Sequence, residues 1–180
     1  MGAKGSNAAT LGVVAMIVVL VMQGSAGEAR MPSWPSVTIS HPVARRKVVA
    51  ALDAAAVQLD APRCRALLTE FSDRDGRPLA TTLDRLRVDV STYVTLVTFI
   101  DGSRDATCSG STLAFTTPGS RVVRVCANSL ASFSTPRHDY VTAAFIHEIL
   151  HTLGLGENPP SSAEITARVL ASCPSVSGTR

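Results

Sequence analysis

The stretch FIHEILHTLGLGENPPSSAEI, residues 145–165, holds two of the chain's four histidines and three of its five glutamates. Tyr140, Ala144, His147 and His151 fall at helical spacing, on one stripe of a helix that opens after Pro136 and ends near Gly154. The imidazoles of His147 and His151 therefore leave the same helix face and aim at one place. Glu148 is turned about 100° away and reaches the space beside them. Two neutral imidazoles leave a divalent ion with positions for water and for a further protein ligand, as a catalytic zinc site requires. A glutamate beside such a site can take a proton from water and later deliver it to a leaving amine, because it accepts when ionised and donates when protonated.

Nothing comparable serves a rival chemistry. There is no G-x-S-x-G elbow and no phosphate-binding Walker loop, and the one Gly-x-Gly, Gly154 and Gly156, follows a helix where a dinucleotide fingerprint would follow a strand. The net charge of +3 is spread over fifteen arginines and two lysines, with no run longer than Arg45-Arg46-Lys47. That reads as a solvated surface and excludes a nucleic-acid patch.

With 180 residues and 46% hydrophobic content, the chain suffices for one domain with a real core. Its start reads differently. Lys4 without acids, then LGVVAMIVVLVM at 11–22, then QGSAGEA at 23–29, follow the order of a secretory signal peptide. The apolar run is shorter than the roughly 20 residues a membrane span needs. The expected organisation is a signal peptide at 1–29, a flexible N-terminal segment at 30–42 (RMPSWPSVTISHP, which includes His41), and one domain at 43–180. Export to the outside or the periplasm, no stable membrane insertion after cleavage, and a monomer follow as expectations.

Cys64, Cys108, Cys126 and Cys173 all lie beyond the leader, and none forms a CxxC pair. An even number in an exported chain predicts two disulfides, with three connectivities open. A hairpin between Cys108 and Cys126 would bring their ends together, which favours that pair and leaves Cys64 to Cys173.

Along the domain, ARRKVVAALDAAAVQLD (44–60) places Val48, Leu52, Ala55, Ala56 and Leu59 at helical spacing until Pro62 stops it. CRALLTEF (64–71) reads as a short helix or turn, SDRDGRP (72–78) as a loop, and 79–87 as a second short helix. YVTLVTFIDGS (93–103) is dense in β-branched and aromatic residues and predicts a buried strand. STLAFTT and RVVRVC, separated by Pro118-Gly119-Ser120, predict a hairpin over 111–126. Ser161 and Glu164 have capping-box spacing ahead of a last helix that runs to about Cys173. This order predicts an α+β domain with a small, mostly antiparallel sheet, an active-site helix and a C-terminal helix. Tyr140 is expected in the core and His138 at the surface or capping a helix.

His147, Glu148 and His151 match the His-Glu-x-x-His motif that defines the zincin metallopeptidases, which the sequence therefore resembles. The resemblance implies a zincin-like domain, a Zn2+ ion held by His147 and His151, Glu148 as general base and then acid, and a peptide or protein substrate. The metzincin branch extends the motif to HExxHxxGxxH. Gly154 stands at its glycine, Glu157 stands at its third histidine, and its Met-turn has no counterpart, since the methionines are residues 1, 16, 22 and 31. Another branch takes a third ligand from a following helix, where this chain has Glu164. Glu157 is thus the first choice for the third ligand and Glu164 the second, with water, Asp139 and His138 remaining. HTLGLGENPPSSAEIT, with TPGSRVVRVC upstream, is also similar to a group of secreted bacterial proteins described as metallopeptidases, over roughly residues 64–173. The 111–126 hairpin is the expected edge for binding peptide by strand addition. Two other functions fit the same residues: an exported metal-binding protein that cleaves nothing, and a zinc amidase acting on a non-peptide amide such as one in the cell wall.

Overall fold

Val48, Leu52, Gln58 and Leu59 share the buried stripe of the first helix, α1 (Pro42–Asp60), with three alanines, Ala44, Ala51 and Ala55. Side chains this small let neighbouring helices approach closely, and the later helices α5 (Val90–Thr95), α6 (Ala127–Ser132) and α7 (His138–Thr152) all rest on α1. His41 caps the N-terminus of α1 by accepting from the Ala44 N–H, and Pro42 occupies the first turn, where no N–H is needed. Lys47, read in the sequence as part of a surface run, reaches inward. Its Nζ donates to the carbonyls of Leu130, Ala131 and Phe133 at 2.9, 3.1 and 2.8 Å and so closes the C-terminus of α6.

The computed structural model describes residues 1–2, 34–134 and 138–173. The leader read at 1–29 lies outside these, apart from its first two residues. The chain divides into Met1–Met31 and Pro32–Arg180, and every element here belongs to the second unit. Among the described residues no helix is long and apolar enough to cross a membrane.

The α+β class, the active-site helix, the C-terminal helix α8 (Ser162–Ser172) and both disulfides are present. The sheet differs from expectation. Its order is β1 (Ser36–Thr38), β2 (Thr98–Asp101), β4 (Val122–Val125), β3 (Ala114–Thr116), with β1–β2 and β2–β4 parallel and only β3–β4 antiparallel. The segment joining β1 to β2 is a helical crossover, and such a connection returns the chain in the same direction, whereas the short 117–121 turn can only reverse it. Strand β1 also falls within the segment expected to be flexible. Its three residues find backbone partners along Thr98–Ile100, which local composition does not reveal.

The strand expected from Tyr93 begins later. Asp89 accepts a hydrogen bond from the Thr92 N–H at 2.6 Å and starts helix α5, so the cap overrides the β-branched composition and only Thr98–Asp101 is strand. The remaining short helices, α2 (Pro62–Arg65), α3 (Leu67–Glu70) and α4 (Ala80–Leu86), fall where the sequence placed them. Helix α1 lies over β1, and α7 lies over β3 and β4. Phe99 of the sheet meets Phe145 of α7 with ring centroids 5.9 Å apart. Tyr93 is buried and donates its hydroxyl to the Thr152 carbonyl at 3.0 Å, fixing the last turn of α7.

Cys64–Cys173 ties α2 to the end of α8 across 109 residues, and Cys108–Cys126 closes a loop of 18. Cross-links restrict the unfolded chain more as the loop lengthens. Replacing Cys64 and Cys173 together by alanine should cost about 4 to 5 kcal/mol in urea unfolding, and the Cys108/Cys126 pair about 3 kcal/mol.

Candidate metal centre

The interior of α7 is unusual for its polarity. Among the described residues the buried polar or charged side chains are Gln58, Thr142, His147, Glu148, His151 and Thr152, and all but Gln58 belong to α7. Burying such groups is unfavourable unless each finds a partner, so their partners decide what the helix is for.

His151 Nδ1 lies 2.7 Å from the Leu155 carbonyl oxygen. A carbonyl only accepts, so Nδ1 carries the proton, and the Nε2 lone pair of the neutral ring is free. His147 Nδ1 lies 2.9 Å from Thr166 Oγ1 on α8, a hydroxyl able to accept in the same way. The two Nε2 atoms then face each other at 2.8 Å. With Nδ1 protonated on both rings the two lone pairs face each other, an arrangement that a bound cation relieves. Burial and then the neighbouring His151 push His147 down to about 4, against the opposing pull of Glu157.

Glu157 provides the third atom. Its Oε1 is 3.2 Å from His151 Nε2 and 3.5 Å from His147 Nε2, and the three ligand atoms lie within 4.8 Å of one another. Two ligands at ordinary zinc bond lengths around a tetrahedral ion stand about 3.3 Å apart. The donor set of two imidazole nitrogens and one carboxylate, at these spacings, suits Zn2+, and Glu157 remains 38% exposed, so the centre opens to solvent on that side.

The return of Glu157 depends on Gly154. Its φ of +116° suits glycine, and a Cβ there would stand 3.1 Å from that of Asp73. The Gly154 and Gly119 N–H groups both donate to the His151 carbonyl, at 2.9 and 2.8 Å, and the Asn158 N–H closes the next turn on the Pro160 carbonyl.

Glu148 is buried beside this cluster, and its Oε2 has no hydrogen-bond partner. Burial, and then the negative charge of Glu157, push its carboxyl up to about 8, against a backbone hydrogen bond from Thr116. A cation held at the neighbouring cluster would favour the ionised form of this carboxyl, whose unused oxygen could then accept a proton from water.

The other sequence candidates stay apart. Glu164 is exposed on the first turn of α8, where its N–H donates to Ser161 Oγ at 3.3 Å in the expected cap. Asp139 lies two helical turns before His147, about 12 Å along the axis, outside the cluster. Tyr140 is not a core residue as expected. It is 39% exposed and stacks on Phe133 at 5.6 Å, because the stripe that buries His147 drifts toward the surface at the start of the helix. Sequence reasoning missed Thr166 and the Leu155 carbonyl. For Thr166 a signal existed, since it neighbours Ile165 on a helix whose buried residues are Ile165 and Val169.

No family model, curated protein or solved structure matches the chain, so the centre is read from its own geometry.

Removing the outer partner of a metal-binding histidine typically costs 10–100-fold in metal affinity. Thr166→Val should weaken zinc binding by about that factor and Glu157→Ala by more, whereas Glu164→Ala should leave it unchanged, in competition titrations against a chromophoric chelator.

Proposed function

We propose that the chain is an exported, monomeric zinc metallopeptidase of the zincin type, hydrolysing peptide bonds. The observation that carries this reading is the convergence of the His147 and His151 Nε2 atoms and Glu157 Oε1 beside a buried carboxylate oxygen of Glu148 that has no partner. His147, His151 and Glu157 would hold the ion. When bound, zinc polarises a carbonyl oxygen and lowers the pKa of a water molecule to about 7.

The chain's own groups supply the remaining chemistry. Thr166 and the Leu155 carbonyl keep Nδ1 of each imidazole engaged, so that Nε2 is the atom offered to the ion. Glu148 takes a proton from water at Oε2 and returns it to the nitrogen of the leaving amine. Its buried position favours holding that proton between the two transfers. A purely structural zinc site needs no such acid between its histidines, which counts against the non-catalytic alternative.

Strand β3 ends the sheet order, and its Thr116 N–H touches the Glu148 carboxylate, so an edge strand runs beside the general base. A peptide added along that edge by backbone hydrogen bonding would present its amide to Glu148. This favours a peptide over a non-peptide amide as substrate. The signal-like leader and the two disulfides support an exported location, where oxidising conditions preserve such bonds.

The purified protein should carry one zinc ion per chain by mass spectrometry, both as wild type and as Glu148→Gln. Cleavage of an unbiased peptide library should fall by about 10²–10⁴-fold in that variant. Absence of zinc, or cleavage indifferent to Glu148, would overturn the assignment.

A further inference from the structure

A cleft of about 520 Å³ lies at the C-terminal end of α7, walled by the 72–78 loop, α4 and the β3–β4 turn. Four arginines and two aspartates line it, leaving an excess of two positive charges. The aspartates are committed: Asp73 and Asp75 both pair with Arg77. Arg85 donates only to Thr82 Oγ1, at 3.2 Å, and neither Arg74 nor Arg121 has a side-chain hydrogen bond or ion pair with another described residue.

These guanidinium groups do not cap the helix. The Thr152 carbonyl accepts from the Tyr93 hydroxyl at 3.0 Å, Leu153 from Thr82 Oγ1 at 3.3 Å, and His151 from the Gly119 and Gly154 N–H groups. The last turn of α7 is satisfied by neutral donors, and the arginines remain available to something else.

Three short routes lead from the metal centre into this cleft. Thr152 lies about one helical turn beyond Glu148 on the same stripe, about 6 Å along the axis. Strand β3 passes Glu148 at Thr116 and continues to Pro118 and Gly119 in the cleft wall, two and three residues on. Arg74 Cγ stands 3.7 Å from where a Cβ of Gly156 would be, next to Glu157.

We infer that the cleft receives a carboxylate of the substrate, from an acidic side chain or a free C-terminus, two or three residues from the scissile bond. The inference rests on the peptidase reading for the direction of the bound chain. Guanidinium groups pair with carboxylates in bidentate fashion, and a site with three that have no carboxylate partner discriminates a carboxylate from its amide.

The test uses peptides with blocked termini that differ only by Glu or Gln at positions two and three on either side of the cleaved bond. A second pair carries a free or an amidated C-terminus. Wild-type protein should favour the carboxylate by about tenfold or more in kcat/KM, and the pair that shows the preference identifies its source. The ratio should collapse to near one in Arg85→Ala/Arg121→Ala, and added salt should lower it in the wild type. Both side chains are exposed, so the double variant should fold, with an unchanged circular dichroism melt as the control.

A ratio near one in the wild type, or one that survives the double substitution, overturns the inference. Binding of the labelled Glu peptide to Glu148→Gln protein, read by fluorescence anisotropy, separates the two readings. Arginine-dependent binding with no cleavage by wild type would sink the peptidase reading and uphold the cleft. Cleavage without charge preference would do the reverse.

Discussion

The hydrogen bond from His151 Nδ1 to the Leu155 carbonyl, 2.7 Å long, is the contact on which the rest of the centre depends. It requires the chain to turn back on the helix it has just left, and Gly154 at φ +116° allows that turn. The same reversal carries Glu157 to within 3.5 Å of both imidazole nitrogens. It also lays Leu155 beside Asp73 as a bridge partner, which seats the 72–78 loop against the end of α7. One hydrogen bond therefore sets the protonated nitrogen of a ligand, the return of a second ligand and one wall of the neighbouring cleft.

Around it the fold compensates for burying so much polarity on one helix. Apolar contacts surround α7 on its remaining sides, through α1 and through Phe99 of the sheet. Helix α8 delivers Thr166 to His147, and α8 is itself secured by Cys64–Cys173 at its far end and by Arg168, which pairs with Glu70 and stacks over the Phe71 ring at 4.1 Å. Glu148 Oε2 is left without a partner inside this well-satisfied frame. Buried polar atoms without a partner are few in native structures, and a catalytic role is one physical reason for keeping one.

What was legible in the sequence was whatever is local. Helical spacing alone places His147, Glu148 and His151, glycine at 154 announces the turn, and Ser161 with Glu164 marks the start of α8. Glu157 and Glu164 could not be separated by spacing, because the choice depends on how sharply the chain turns after Gly154. The pairing of β1 with β2 and the inward course of Lys47 were hidden because both depend on residues distant in sequence. Helix α5 was misread for the opposite reason: a single aspartate cap, Asp89, outweighs a run of residues that favour strands.

The three prospective ligands occupy only 147–157, so a bound ion would close a very short segment of chain. Loop-closure entropy grows with the length of chain enclosed, and that segment is already fixed by α7 and by the Leu155 hydrogen bond. The disulfide that spans 109 residues restrains the unfolded ensemble far more. Architecture and reactivity are therefore held by separate cross-links in this chain, and a chelator that strips the metal would silence the site while leaving a folded protein behind.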